Sequence, residues 1–519
     1  MDTSIREVTT QATLEEKKKL KKEFSLFDMI FVTIAAIIGI DTLGAVSSNG
    51  AQALTWLLIS AVTFLLPYGL LTAELGSTFT QEGGVYEWVK LAFGRIPAAM
   101  ASMLYWISNP LWVGGTLSVT AIVAIKTFWF QNPNILFGGN QTTNAIVEII
   151  IALVFIWAVT WSAIMSLKVG KWLSVFGSYA KFGLFAVFIV LALVYFIGGH
   201  ATGDHIAIAD LVPNGNLTFI FSAILPVLIF NWAGFELQNG AGEEMENPQR
   251  DVPRSLIRAG IVVLIGYAIP ITVILFTLSK AQLSNASGFV NSFKIVESVL
   301  PTQFATILGW IIALAIVLAL ASSGGTWIIG ADRTYAIASL DRTAPVLLGR
   351  FSGRFGTPIA VNSMSGITAS IAMIAAIIVN SFGNGSVTTL FALVFGFVIS
   401  TTTISYLFIF PAYFVLKLKY PNVRRPFTVP GGIAGAAVVT ILTFVYALVA
   451  TIFILWPTDS TIANNGVSRV TYELTQFIPL AFIVVLTFVF YIWGHAEKRN
   501  QDIIVERDLE TGVERASGD

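Results

Sequence analysis

Three ionisable side chains sit where the sequence is otherwise apolar. Asp41 falls in the run Ile37, Ile38, Gly39, Ile40, Asp41, Thr42, Leu43, Gly44. Lys181 falls in Ser178, Tyr179, Ala180, Lys181, Phe182, and Glu236 ends the run Phe230, Asn231, Trp232, Ala233, Gly234, Phe235, Glu236. A charge at bilayer depth costs several kcal/mol unless it is paired or hydrated, so such positions mark pathways and binding sites. Two of the three adjoin glycines that interrupt a hydrophobic segment, the pattern of a helix broken near the membrane midplane. A break exposes N–H groups at the start of one half-helix and carbonyls at the end of the other. It can therefore hold an anion and a cation together, which matches an amino acid zwitterion. Asp41 either caps nearby backbone N–H groups or meets a substrate ammonium or a coupling proton. Lys181 lies about ten residues, or about 15 Å, into its span. It either snorkels to the membrane edge or stays buried as a titrating group.

The segments that must position these residues are transmembrane helices. The 519 residues are 55% hydrophobic and 12% charged, with mean hydropathy +0.78, and soluble domains carry roughly a quarter charged residues. Apolar runs predict about twelve spans, near 26–48, 53–78, 97–126, 145–166, 172–198, 218–241, 256–279, 304–337, 359–380, 387–416, 434–456 and 473–494. The alternation of a transmembrane barrel is absent. Basic residues gather in the even-numbered loops, among them Lys90, Arg95, Lys171, Arg250, Arg254, Arg333, Arg350 and Arg425, which predicts those loops and both termini on the cytoplasmic side. Three segments follow: a cytoplasmic tail over 1–23, a transporter domain over 24–495 and a second cytoplasmic tail over 496–519, both tails read as solvated.

The zero formal net charge gives no reason to expect nucleic acid, and the lack of cysteine excludes thiol chemistry. His200, Asp204 and His205 share an outer loop, and loop histidines that face water are common, so no metal is expected. Neither a P-loop nor a catalytic constellation stands out, so the chain reads as no enzyme, and no cofactor is expected. Channels need a pore lined by repeated polar segments, and none is present.

Several further motifs complete a pattern: Ala73, Glu74, Leu75 with Gly83, Gly84, Tyr86, Trp88 and Gly94; Glu246, Asn247, Pro248, Arg250 and Pro253; Arg333 to Pro345; and Gly356, Thr357, Pro358. With the two broken spans, they resemble the amino acid-polyamine-organocation (APC) superfamily over nearly the whole membrane portion. The resemblance implies an all-α integral membrane fold of about twelve helices. Five plus five form an inverted repeat with discontinuous helices 1 and 6, and helices 11 and 12 are added. It also implies a plasma-membrane secondary transporter working by alternating access on a small amino acid or amine, with protons as the expected coupling ion. The open alternatives are exchange of an amino acid for its decarboxylated amine or for a polyamine, and a nutrient sensor without flux.

Carried onto this sequence, the resemblance implies substrate contacts from Gly39, Ile40, Asp41, Thr42 and Gly44, and from Phe230, Asn231, Trp232, Gly234 and Trp327. Lys181 resembles the lysine that stands in for a sodium ion in proton-coupled relatives, and Glu236 a glutamate at the sixth-span break; both are expected to couple. Gating falls to Phe230, Glu74 and Arg250; Glu74 and the run Glu243 to Arg254 read either as one inward-face ion-pair network or as a solvated loop face. Many relatives carry a Gly-Ser-Gly-type break whose N–H groups take the substrate carboxylate. Here Asp41 stands in that stretch, repelling a carboxylate unless protonated or turned away, and attracting an amine. Ser108, Asn109 and Thr116 are further polar candidates, and Trp106 and Trp112 are expected to be packing residues.

Overall fold

The computed structural model describes residues 4–130, 140–165, 167–200, 208–213, 216–279, 287–382, 387–464, 467–497, 502–509 and 514–516. Asp204 and His205 lie outside them. Strand β1 (Ser4–Thr10) and helix α1 (Gln11–Lys17) precede the membrane portion. Among the described residues, 11 helices are long and apolar enough to cross a membrane, and a shorter one, α2 (Leu26–Ile37), begins the first span. A capping box starts α2: Asp28 accepts from Ser25 N–H while Asp28 N–H points to the Ser25 hydroxyl.

The helix cannot continue past Ile37. Ile38 is extended, with ψ 93°, and helical geometry resumes only in α3 (Leu43–Ser47). Next come α4 (Gln52–Thr78), α5 (Val85–Phe93), α6 (Arg95–Phe128), α7 (Gln141–Met165) and α8 (Gly170–Ile197). The sixth span, Leu217–Glu244, is broken as well. Its first half ends in α9 (Leu225–Trp232), Ala233 is extended, Gly234 has φ +125°, and a tight 3-10 segment, Leu237–Glu244, follows. Only glycine adopts that φ without strain.

After this second break the chain forms α10 (Pro248–Thr277), the short α11 (Gly288–Val296), α12 (Thr302–Ala338), α13 (Ile359–Phe382), α14 (Val387–Lys419), α15 (Gly432–Leu455) and α16 (Arg469–Ala496). The first span packs against α8, α10 and α12, so the broken segment lies inside the bundle. Outward faces keep bare apolar side chains such as Val62, Val154, Ile261 and Ile492, which only lipid can cover.

The terminal segments are structured, contrary to the expectation of solvated tails. β1 pairs antiparallel with β2 (Asp502–Asp508), and β2 with β3 (Glu514–Ala516). Ile5 and Val505 are buried where the sheet meets the bundle. No apolar alternation announces these strands: their buried face carries Glu7, Thr9 and Arg507 beside Ile5 and Val505, while Val8 and Ile504 are exposed. Ion pairs fix the sheet to the helices. Arg507 reaches Glu7 (3.2 Å) and Glu243 (3.0 Å), Lys17 reaches Glu243 (2.9 Å), and Asp502 meets Arg95 (2.9 Å) and Arg342 (3.3 Å). Strands β1 and β2 therefore sit on one face of the bundle.

Candidate functional site

An α-helix leaves its last four carbonyls without intrahelical donors, and in hydrocarbon each needs a partner. At the end of α2, Ile34 O accepts from Ile38 N–H at 3.1 Å. The next three carbonyls are met by side chains from three other helices. Lys181 Nζ on α8 donates to Ala35 O (2.8 Å), Trp327 Nε1 on α12 to Ala36 O (3.0 Å), and Tyr267 OH on α10 to Ile37 O (2.6 Å). Lys181 is wholly buried and also donates to Ser323 Oγ at 2.8 Å, so it does not snorkel. A cation at a helix C-terminus is also favoured by the helix dipole.

Past the break the backbone is held just as tightly. Gly39 N–H donates to the same Tyr267 hydroxyl at 2.9 Å, and Gly39 O accepts from Thr42 Oγ1 at 2.9 Å. Asp41 is buried, and its Oδ2 accepts from Trp112 Nε1 (2.8 Å) and Thr116 Oγ1 (3.3 Å) on α6. Its Oδ1 has no hydrogen-bond partner among the described residues. A Cβ at Gly39 would lie 3.0 Å from that oxygen, so glycine there keeps the carboxylate edge clear.

At the second break Tyr68 on α4 performs the matching task. Its hydroxyl accepts from Gly234 N–H and Phe235 N–H, both at 3.1 Å. It lies 3.2 Å from Tyr406 OH, which donates to Glu236 Oε1 at 3.0 Å. Glu236 Oε2 and both carboxamide atoms of Asn231 have no partner among the described residues, and both side chains are buried.

The two breaks meet. A Cβ on Gly234 would come within 3.1 Å of Ile37 Cγ1 and 3.2 Å of Trp327 Cζ2. Aromatic rings enclose the junction: Trp112 packs edge-on against Phe230 (5.9 Å) and Trp327 (6.3 Å), and Phe230 meets Phe395 (5.3 Å) edge-on. Tyr105 lies 5.7 Å from Trp327, and its hydroxyl has no partner among the described residues. A carboxylate with one oxygen free of partners, beside a cluster of aromatic rings, can hold a cation through charge and through ring quadrupoles.

The structure thus brings Gly39, Asp41, Thr42, Phe230, Gly234 and Trp327 together, with Ile40 buried in the same stretch. Gly44 lies under α11, where a Cβ on Gly288 would come within 2.7 Å of its Cα. Trp232 turns elsewhere: its indole donates to Ser60 Oγ (2.9 Å) and its ring packs edge-on against Tyr267 (5.6 Å). Ser108 and Asn109 bond back to Tyr105 O on their own helix.

Trp106 and Trp112 are not merely packing. Trp112 orients Asp41, and Trp106 donates to Ser365 Oγ (2.9 Å), which donates to Asp332 Oδ1 (2.8 Å). Sequence reasoning also missed Tyr68, Tyr267 and Tyr406, because nothing in a tyrosine's sequence context says which break its hydroxyl will reach.

Glu74 and the run Glu243 to Arg254 do not share one network among the described residues. Glu74 binds Lys417 (2.7 Å), Arg425 (2.9 Å), Tyr413 OH (2.8 Å) and Val429 N–H (2.7 Å), tying α4 to the end of α14. Glu243 instead holds the tail sheet, and Glu244 pairs with Arg333 at 2.8 Å. Arg250 is exposed at the start of α10, 4.0 Å from Asp251.

Comparison with known proteins agrees with this geometry. A family model described as amino acid permease matches residues 24–490. The chain is 28% identical to a probable agmatine/putrescine antiporter of Lactococcus lactis subsp. lactis, over 96% of this chain and 97% of that protein. It is 23% identical to a glutamate/gamma-aminobutyrate antiporter of the same organism, over 94% of this chain and 93% of that protein. An aspartate-proton symporter of Bacillus subtilis is 24% identical over 65% of this chain and 64% of that protein. With the match running from the first span into the last, across both broken helices and the site between them, the chain belongs to the amino acid permease family of the APC superfamily.

Proposed function

We propose that this amino acid or amine transporter works by alternating access at the junction of the two breaks, with Asp41 as the group that takes the cargo's ammonium. The observation that carries the reading is the buried Oδ1 of Asp41, without a partner among the described residues, on a carboxylate held by Trp112, whose ring packs against Phe230 and Trp327. Leaving a carboxylate oxygen unpaired in such a place is costly, and a cationic cargo relieves the cost. Phe230 would cover the cargo, and Gly39, Thr42, Gly234 and Trp327 would shape its seat. Glu74 and Arg250 would act in gating, and the plasma membrane, with both termini cytoplasmic, is the expected setting.

Lys181 would couple transport to protons. Its ammonium holds Ala35 O at the end of α2, so losing the proton weakens the hold on the half-helix that must move. Glu236, at the end of a tyrosine chain that reaches the second break, would be a second proton-responsive group.

The test is counterflow in proteoliposomes. Asp41→Asn should abolish or strongly alter exchange while the protein still inserts and remains folded; wild-type kinetics in that variant would sink the assignment. Ligand binding without exchange in the wild type would favour a sensor. Exchange of one cargo for another is favoured over net uptake by the antiporters among the relatives.

A further inference from the structure

Where α4 and α10 pack side by side, they leave a groove of about 270 Å³ between them. Every side chain along it is apolar. Val62 and Leu66 on one lip, and Ile257 and Ile261 on the other, are more than half exposed, so the groove opens onto the lipid-facing surface. On α4 it runs from Ala61 to Ala73, a rise of about 18 Å, which is close to one leaflet of a hydrocarbon layer about 30 Å thick. Water finds no hydrogen-bond partner on such walls, and an empty slot forfeits the contacts of close packing. A hydrocarbon chain restores them.

One end of the groove is basic. Arg254, Ile257, Arg258 and Ile261 follow the spacing i, i+3, i+4, i+7, so they form one stripe of α10, and all four are exposed. The two isoleucines wall the groove, and the two arginines lead it toward the end of the bundle that holds the terminal sheet. Neither arginine has a hydrogen-bond or ion-pair partner among the described residues. At the edge of the hydrocarbon such side chains extend to the headgroups.

The groove also touches the second break. Phe235 is one of its walls, with its ring between two glycines: a Cβ on Gly69 would come within 3.3 Å of Phe235 Cε2, and one on Gly260 within 3.3 Å of Cζ. The N–H of the same residue donates to Tyr68 OH, as Gly234 N–H does.

We infer that this groove seats an acyl chain of an anionic phospholipid whose phosphate pairs with Arg254 and Arg258. The seat requires neither Asp41 nor a cargo. Because Phe235 forms its wall, a bound chain favours the arrangement of the second break described here, and movement of the sixth span reshapes the seat.

The test titrates the full chain, purified in a mild detergent, with phosphatidylglycerol and with phosphatidylcholine of the same acyl chains. Bound lipid is read by native mass spectrometry. Phosphatidylglycerol should bind about tenfold more tightly, the scale of two basic side chains near an anionic headgroup. Arg254→Gln combined with Arg258→Gln should remove that preference, and Ile261→Trp, which adds bulk at the lip, should weaken both lipids alike. Equal affinities in the wild type, or a preference that survives in the double variant, overturns the headgroup assignment. A folded Ile261→Trp protein that binds both lipids as the wild type does overturns the groove as the seat. A co-purified apolar molecule other than a phospholipid that blocks the titration overturns the occupant. Should Ile261→Trp fail to fold, the glutamine pair at exposed positions still decides.

Discussion

Trp112 and Trp106 lie on the same helix, and their indoles serve different ends. Trp112 Nε1 fixes one oxygen of Asp41 and thereby aims the other, whereas Trp106 Nε1 supports Ser365 beside the buried Asp332. Trp112→Phe should therefore weaken cargo binding about tenfold, the loss of one hydrogen bond to a charged group, with little loss of thermal stability. Trp106→Phe should lower the melting temperature and leave cargo affinity near wild type. Titration of purified variants, paired with a melting curve, separates the two. Lys181→Ala removes the donor from Ala35 O, and uptake should cease to follow an imposed pH gradient. A strict sodium requirement that persists in the variant would contradict the coupling role. The charged members of the site were legible in the sequence because an ionisable residue among apolar ones is rare. Their uncharged partners were not, since Tyr68, Tyr267 and Trp112 look like any other aromatic residue in a chain with 13 Tyr and 13 Trp.

At the scale of elements, hydropathy placed the spans well, and the glycines placed both breaks: Gly234 has a φ of +125°, and a Cβ on Gly39 would crowd the side-chain oxygens of Asp41 and Thr42. What a linear pattern could not carry was which helix satisfies which exposed backbone group. Each break is stabilised by residues from spans remote in sequence, α4 for the second and α8, α10 and α12 for the first. The same limit hid the partners of Glu74. Its carboxylate is surrounded by Lys417, Arg425, Tyr413 and Val429 N–H, so Glu74→Ala leaves two basic groups without their acceptor at the end of α14. Breaking a buried pair by removing one partner costs about 3 kcal/mol or more. The expected result is a melting temperature lowered by several degrees, with Glu74→Asp retaining part of the loss, measured on protein in a mild detergent.

For the molecule as a whole, the terminal sheet adds a pH-sensitive clasp. Burial alone would raise the Glu7 carboxyl, but Arg507, Lys90 and Lys17 outweigh both burial and the nearby Asp341 and hold it below its ordinary value. Asp502 is likewise lowered, burial being outweighed by Arg95 and Arg342. A carboxyl depressed in the folded state contributes stability above its unfolded pKa and loses it as pH falls through the folded value. The sheet should thus be intact at neutral pH and open only below the usual carboxylate range. Val8 and Ile504 are exposed cross-strand partners, and the chain has no native cysteine, so spin labels at these two positions read the distance directly. A short distance at pH 7 that lengthens in acid is expected, and Arg507→Ala should lengthen it already at neutral pH.

The pairing of Ser4 with Asp508 also has a bearing on biogenesis. The first strand leaves the ribosome about 500 residues before its partner exists, which at 5–20 residues per second is a wait of about 25 to 100 s. Through that interval every span must be threaded while β1 stays unmated. Closure of the sheet is then a late event that reports a fully synthesised and inserted chain, and a polypeptide truncated anywhere in the membrane portion would leave its first strand as an open edge.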